Sequence, residues 1–119
     1  QVMGTGAAIP KVSRDATLSS ATVEMSRKRY GATAVVDERE RLVGVFTDGD
    51  LRRCITVHSL EDAIGRHMSP SPVTVAPGTL CSEALRVLNE NAVSVLFVVD
   101  DETPVGVVHM HDILRTGIV

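Results

Sequence analysis

Gly44-Val45-Phe46-Thr47-Asp48-Gly49-Asp50-Leu51-Arg52-Arg53 decides the reading of this chain. An apolar run ends at Thr47 and charged residues follow without a spacer. That pattern predicts a strand passing directly into a helix. The passage returns at Gly106-Val107-Val108-His109-Met110-His111-Asp112-Ile113-Leu114-Arg115. Working outward, Val12 falls on Val75, Ala21 on Ala84, Met25 on Leu88 and Val35-Val36-Asp37 on Val98-Val99-Asp100, a shift of 63 residues throughout. With one residue fewer in the second loop, Gly44 falls on Gly106, Asp50 on Asp112 and Arg53 on Arg115. The chain is therefore two copies of one unit, 2–56 and 67–119, joined by a linker at 57–66.

Each copy reads β-α-β-β-α. A short apolar segment opens it, Ile9 to Val12 or Val73 to Val75. An amphipathic helix is predicted next, about Leu18 to Arg29 or Leu80 to Asn91, with Ala21, Val23 and Met25, or Ala84, Leu85 and Leu88, on its apolar face. Thr17, Ser19, Thr79 and Ser82 are the N-cap candidates. Two β-branched runs form a hairpin, Thr33–Val36 with Leu42–Thr47 around the charged turn 37–41, and Val95–Val99 with Val105–His109. Asp48–Ile55 and Met110–Thr116 are the closing helices. In the linker, Leu60, Ala63 and Ile64 suit one face of a short helix. A single copy of this size is marginal alone. The expected fold class is α+β, with the two repeats packed around a pseudo-twofold axis that leaves two related clefts.

Composition narrows the function. The 119 residues are 44% hydrophobic, 23% charged and only 3% aromatic, with a net charge of −3. An acidic chain with few stacking platforms argues against nucleic acid as partner. No run approaches the ~20 apolar residues of a membrane span, and no signal peptide opens the chain. Cys54 and Cys81 lack partner spacing and are read as reduced thiols of a cytoplasmic protein.

The strand–helix junction carries the chemistry. Backbone N–H groups at a helix start attract phosphate, and the Thr47 hydroxyl adds a donor. Asp50, one turn on, is placed to accept from ribose hydroxyls, and Arg52 and Arg53 to hold a phosphate or carboxylate. The competing reading is that Thr47 and Asp48 merely cap the helix. Recurrence of Asp in both copies weighs against it, since a cap is not expected to need an acid three residues inside. His109-x-His111-Asp112 lacks third and fourth ligands for a metal site. Arg27-Lys28-Arg29 is read as a solvated face suited to a helix C-terminus, and His58 and His67 as linker or surface residues. No nucleophile is paired with a positioned base, so no catalytic residue and no metal ligand is assigned.

Two β-α-β-β-α units ending in Gly-apolar-apolar-Thr-x-x-Asp resemble CBS domains, which as a tandem form a Bateman module and bind nucleotides through that Thr and Asp. More narrowly, GVFTDGDLRR (44–53) and GVVHMHDILRTGIV (106–119) resemble the C-terminal half of bacterial D-arabinose 5-phosphate isomerases, enzymes of the Kdo pathway of lipopolysaccharide synthesis. The resemblance covers the whole chain. It implies a regulatory fragment whose catalytic sugar-isomerase (SIS) domain is absent here. It also implies a homodimer within a parent homotetramer, with exposed Leu51, Ile55, Ile113 and Leu114 supplying the apolar contacts. No cofactor is required. CMP-Kdo is the candidate ligand, with another nucleotide such as AMP as the alternative. In this reading Thr47, Asp48, Asp50 and Arg53 hold a ribose phosphate, and Ile9, Pro10, Lys11 and Val12 line the base. The second copy departs from the pattern, with His109 in place of Thr and His111 in place of Gly. His109, His111 and Arg115 would face the acidic sugar, the imidazole donating best when protonated, and Asp112 is counted among the ligand-binding residues of this copy.

Overall fold

The computed structural model describes residues 3–56 and 59–116. The repeat boundary at Val2, Val57 and His58 in the linker, and 117–119 lie outside the described residues. The chain forms two compact units, one of Pro10–Pro72 and one of Val73–Val119 together with Gln1–Ile9. It is an α+β protein with one three-stranded sheet in each unit.

The first unit holds β1 (Lys11–Ser13), α1 (Leu18–Lys28), β2 (Ala32–Val36), β3 (Leu42–Thr47) and α2 (Asp48–Cys54). Its sheet has the order β1-β2-β3, with β1 parallel and β3 antiparallel to β2. The central strand β2, Ala-Thr-Ala-Val-Val, is buried at every position, as a strand covered on both faces requires. Thr17 caps α1, its side chain accepting from the Ser20 amide. Leu18, Ala21 and Met25 form the buried stripe, a helical spacing of three and four. Val23 was expected there, but it lies two residues from either stripe position and is 55% exposed.

The second unit repeats the plan with β4 (Thr74–Val75), α3 (Cys81–Glu90), β5 (Val95–Asp100), β6 (Thr103–His109) and α4 (Met110–Thr116), in sheet order β4-β5-β6. Leu80 occupies the N-cap of α3 without a side-chain cap, so Thr79 and Ser82 do not fill that role. The linker makes two short 3-10 turns, Ser59–Glu61 and Ile64–Arg66, in place of the expected helix. His67 is half-buried there, its Nε2 2.9 Å from Asp62 Oδ2.

The hairpins differ as the deleted residue suggests. In the first, Asp37 is buried and its Oδ1 accepts from the Arg39 and Arg41 amides, both at 2.9 Å. Those Arg41 contacts, including Nε on Oδ2, hold the Asp37 carboxyl below its ordinary range. In the second, Asp100 pairs with Thr103, and Asp101 and Glu102 turn the chain with φ of 50° and 68°, the backbone of a tight two-residue turn.

A close approach explains the glycine that begins each motif. The segment Met68-Ser69 bridges antiparallel to Val45 of β3, and Gly4 bridges likewise to Val107 of β6. A Cβ on Gly44 would stand 2.4 Å from the Met68 sulfur and 2.8 Å from the Ser69 carbonyl oxygen. On Gly106 it would meet the Met3 sulfur at 2.5 Å and Val98 Cβ at 3.3 Å. A thioether end swings aside easily, whereas a backbone carbonyl in a bridge does not. Gly44→Ala is therefore expected to cost ~1–3 kcal/mol, and Gly106→Ala clearly less. Urea unfolding of the two variants measures the difference; equal losses would contradict it.

Candidate functional site

In the first unit the site is the strand–helix junction at Thr47. Thr47 pairs with Ala32 at the start of β2, and β1 runs parallel to β2 on its other side with Lys11 level with Ala34. The approach to β1 and the exit from β3 therefore lie at the same end of the sheet, two strand spacings apart, ~10 Å.

Thr47 is the N-cap of α2, and Asp50 is its reciprocal partner. The Asp50 amide donates to Thr47 Oγ1 at 3.2 Å, and the Thr47 amide donates to Asp50 Oδ2 at 3.0 Å. This is a complete capping box. It overturns the expectation that a cap has no use for an acid three residues inside the helix: that acid satisfies the amide at the cap itself. The other oxygen, Oδ1, accepts from Arg53 Nη2 at 2.6 Å. The Asp50 side chain is 14% exposed and that of Arg53 71%. An ion pair with one end in water contributes little, so Arg53 is cheaply released toward another anion.

Asp48 is turned elsewhere. Its amide donates to the Gly31 carbonyl, and its side chain lines a separate depression of about 340 Å³ with Thr22, Ser26 and Arg29. The segment assigned to the base is mostly inward. Ile9 and Pro10 are buried, and Val12 packs against the core of Leu18, Ala21 and Val35. Lys11 points outward, its Nζ on Glu40 at 2.8 Å. Thus Thr47, Asp50 and Arg53 form one bonded group, and Asp48 and Lys11 stand outside it.

The second unit keeps the Asp–Arg pair and changes the cap. Asp112 pairs with Arg115 as Asp50 does with Arg53. His109 stands at the capping position, and the His111 amide donates to its Nδ1 at 3.0 Å. The rings lie 4.6 Å apart between centroids. With Nδ1 accepting, the neutral ring carries its proton on Nε2 and offers one donor outward. Burial, then the neighbouring His111, push the His109 pKa below its ordinary value. A charged His109 ring would lose the acceptor that holds the His111 amide.

A pH dependence follows. Above the lowered folded pKa and below the unfolded value of about 6.5, the unfolded chain binds more protons than the folded one. Stability therefore falls as pH drops through and below about 6.5. His109→Asn, which keeps a cap acceptor and does not titrate, is expected to flatten the difference between pH 7.5 and pH 5.5 in urea unfolding. An unchanged difference in the variant would place the titration elsewhere.

Leu51 and Ile113 were expected on an exposed association face. Ile113 is fully buried and Leu51 packs against the first core, while Ile55 and Leu114 are exposed at 48% and 51%. Both helices turn that position onto their own sheet. Among the described residues no helix is long and apolar enough to cross a membrane, and no cluster of three or more His, Cys, Asp or Glu is placed to hold a metal.

Two β-α-β-β-α units, each closing on a capped strand–helix junction with an Asp–Arg pair, define a tandem of CBS domains, and the chain belongs to that family: the CBS domain model matches residues 2–57 and 60–118. It is 42% identical over 99% of its length to the arabinose 5-phosphate isomerase KdsD of Yersinia pestis. The chain spans 37% of that relative. Among solved structures it is similar to the CBS-domain containing protein ATU1752 from Agrobacterium tumefaciens, with a TM-score of 0.84 and 18% identity, covering 97% of this chain and 87% of that one. It is also similar to CBSX2 in complex with AMP, with a TM-score of 0.82 and 26% identity, covering 98% and 92%.

Proposed function

We propose that this chain is the ligand-sensing CBS pair of a D-arabinose 5-phosphate isomerase, the enzyme that interconverts ribulose 5-phosphate and arabinose 5-phosphate in the cytoplasm. The carrying observation is the Asp–Arg pair repeated in α2 and α4, a first-turn aspartate with an arginine three residues on. Each presents a half-buried carboxylate for sugar hydroxyls and an exposed guanidinium for an anion. Identity with such isomerases along the whole chain supports the parent assignment, and the AMP complex of CBSX2 supports a nucleotide ligand. The isomerase chemistry belongs to an SIS domain of the parent, and the CBS pair needs no cofactor.

Thr47 and Asp50 take the ribose phosphate, with Arg53 released toward an anion. In the second unit His109, His111 and Arg115 suit an acidic group of a ligand held there, and CMP-Kdo is the candidate ligand with AMP as the alternative. Calorimetric titration with CMP-Kdo, CMP and AMP tests this. Binding of at least one below millimolar dissociation constant is expected. If none binds at millimolar concentration, the sensor reading fails. The pair is then an assembly module, a reading that exposed Ile55 and Leu114 favour. In either case the proposed homodimer, within a homotetrameric parent, is checked by sedimentation at high protein concentration.

A further inference from the structure

The two cores are not equally filled. In the first unit, fully buried Ile64 of the linker packs with Leu18, Ala21, Val35 and Phe46. Its segment is tied down by Leu18 N donating to Asp62 O, Ile64 N to Ala16 O and Gly65 N to Arg14 O, at 2.7–3.0 Å. Four residues on, Met68 lies over Gly44, and Ser69 bridges to Val45. In the second unit Met3 lies over Gly106, and Gly4 bridges to Val107. Met3-Gly4 is thus the structural counterpart of Met68-Ser69, and the counterpart of Ile64 is the residue four positions ahead of Met3.

An apolar cavity of about 220 Å³ opens where that side chain would sit, lined by Met3, Val75, Cys81, Ala84, Val98 and Val108 among others. These are the repeat counterparts of residues gathered around Ile64: Cys81 matches Leu18, Ala84 matches Ala21, Val98 matches Val35 and Val108 matches Phe46. Cys and Val are smaller than Leu and Phe, so this seat has more room than the one Ile64 fills. The volume far exceeds the ~30 Å³ share of a water molecule, and close-packed interiors hold few such voids.

We infer that this cavity is the seat of an apolar side chain four residues ahead of Met3, so that the segment leading into the first repeat completes the core of the second. The inference does not depend on the isomerase reading. Its test uses the chain as it stands and the chain extended ahead of Gln1 by Leu-Glu-Asp-Ala-Ile-Gly, the sequence of its own residues 60–65, which sets isoleucine at the required position. Alkylation of Cys81 by iodoacetamide is followed by peptide mass spectrometry. The extension is expected to slow it at least tenfold and to raise the melting temperature, and aspartate in place of that isoleucine to abolish both effects. Equal alkylation rates, or equal protection by the aspartate extension, would overturn the inference. Protection in the unextended chain that rises with protein concentration would also overturn it, assigning the cavity to a second copy. In the natural parent, a charged residue or glycine at that position counts against it in the same way.

Discussion

Ile64→Ala is expected to lower the unfolding free energy by ~2–5 kcal/mol, the range for truncating a fully buried branched side chain. Ile64 is 0% exposed and packs with Leu18, Ala21, Met25, Val35 and Phe46. The flanking backbone is held by bonds to Arg14 and Ala16, so the segment cannot collapse freely into the space left. Ile64→Val, which removes one methylene, is expected to cost ~0.5–1.5 kcal/mol. Urea unfolding of both variants checks the series. A loss under about 1 kcal/mol for the alanine variant would mean that the linker is a tether and not part of the core.

Asp50→Ala is expected to weaken nucleotide or nucleotide-sugar binding at least tenfold, about 1.4 kcal/mol. A carboxylate accepting from two hydroxyls contributes through charge-assisted hydrogen bonds, each ~1.5–3 kcal/mol at most. The same substitution removes half of the capping box, at a cost of ~1 kcal/mol in stability. Asp50→Asn separates the two effects. Its amide oxygen still accepts from the Thr47 amide, while the charge facing the ligand is gone. The asparagine variant should therefore keep most of the stability and lose most of the affinity in calorimetry. Tight binding of CMP-Kdo or AMP that neither substitution changes would place the site elsewhere.

The elements were legible because their signals are local. The turn at 37–41 separates two β-branched runs, Thr47 ends one of them, and Leu18, Ala21 and Met25 recur at helical spacing. What failed to show was anything set by a partner distant in the chain. Gly44 reads as a small residue in a strand until Met68 and Ser69 are seen lying on it. Asp37 reads as one charge among five, yet it alone is buried, because the amides of Arg39 and Arg41 converge on it. Asp50 was found for its ligand chemistry, and its part in the cap was missed. A Thr-x-x-acid spacing ahead of an apolar position was the available signal. Asp48, two residues earlier, was grouped with Asp50, but at 3.6 residues per turn two steps along a helix carry a side chain nearly to the opposite side, and it faces Gly31 instead.

The antiparallel bridge from Gly4 to Val107 sets an order on vectorial synthesis. The unit of Pro10–Pro72 is contiguous, so every strand and helix it needs has left the ribosome by the time Pro72 emerges. The other unit is split, and the residues ahead of Pro10 wait through the making of a whole unit before β6 exists to receive them. Closing that loop costs chain entropy that grows only slowly with length, but it places the slowest contact last. The nascent chain therefore carries one finished unit while the segment ahead of Pro10 still lacks its partner strand, and a permutant that joined this segment ahead of Val73 would turn the second unit into a contiguous folder.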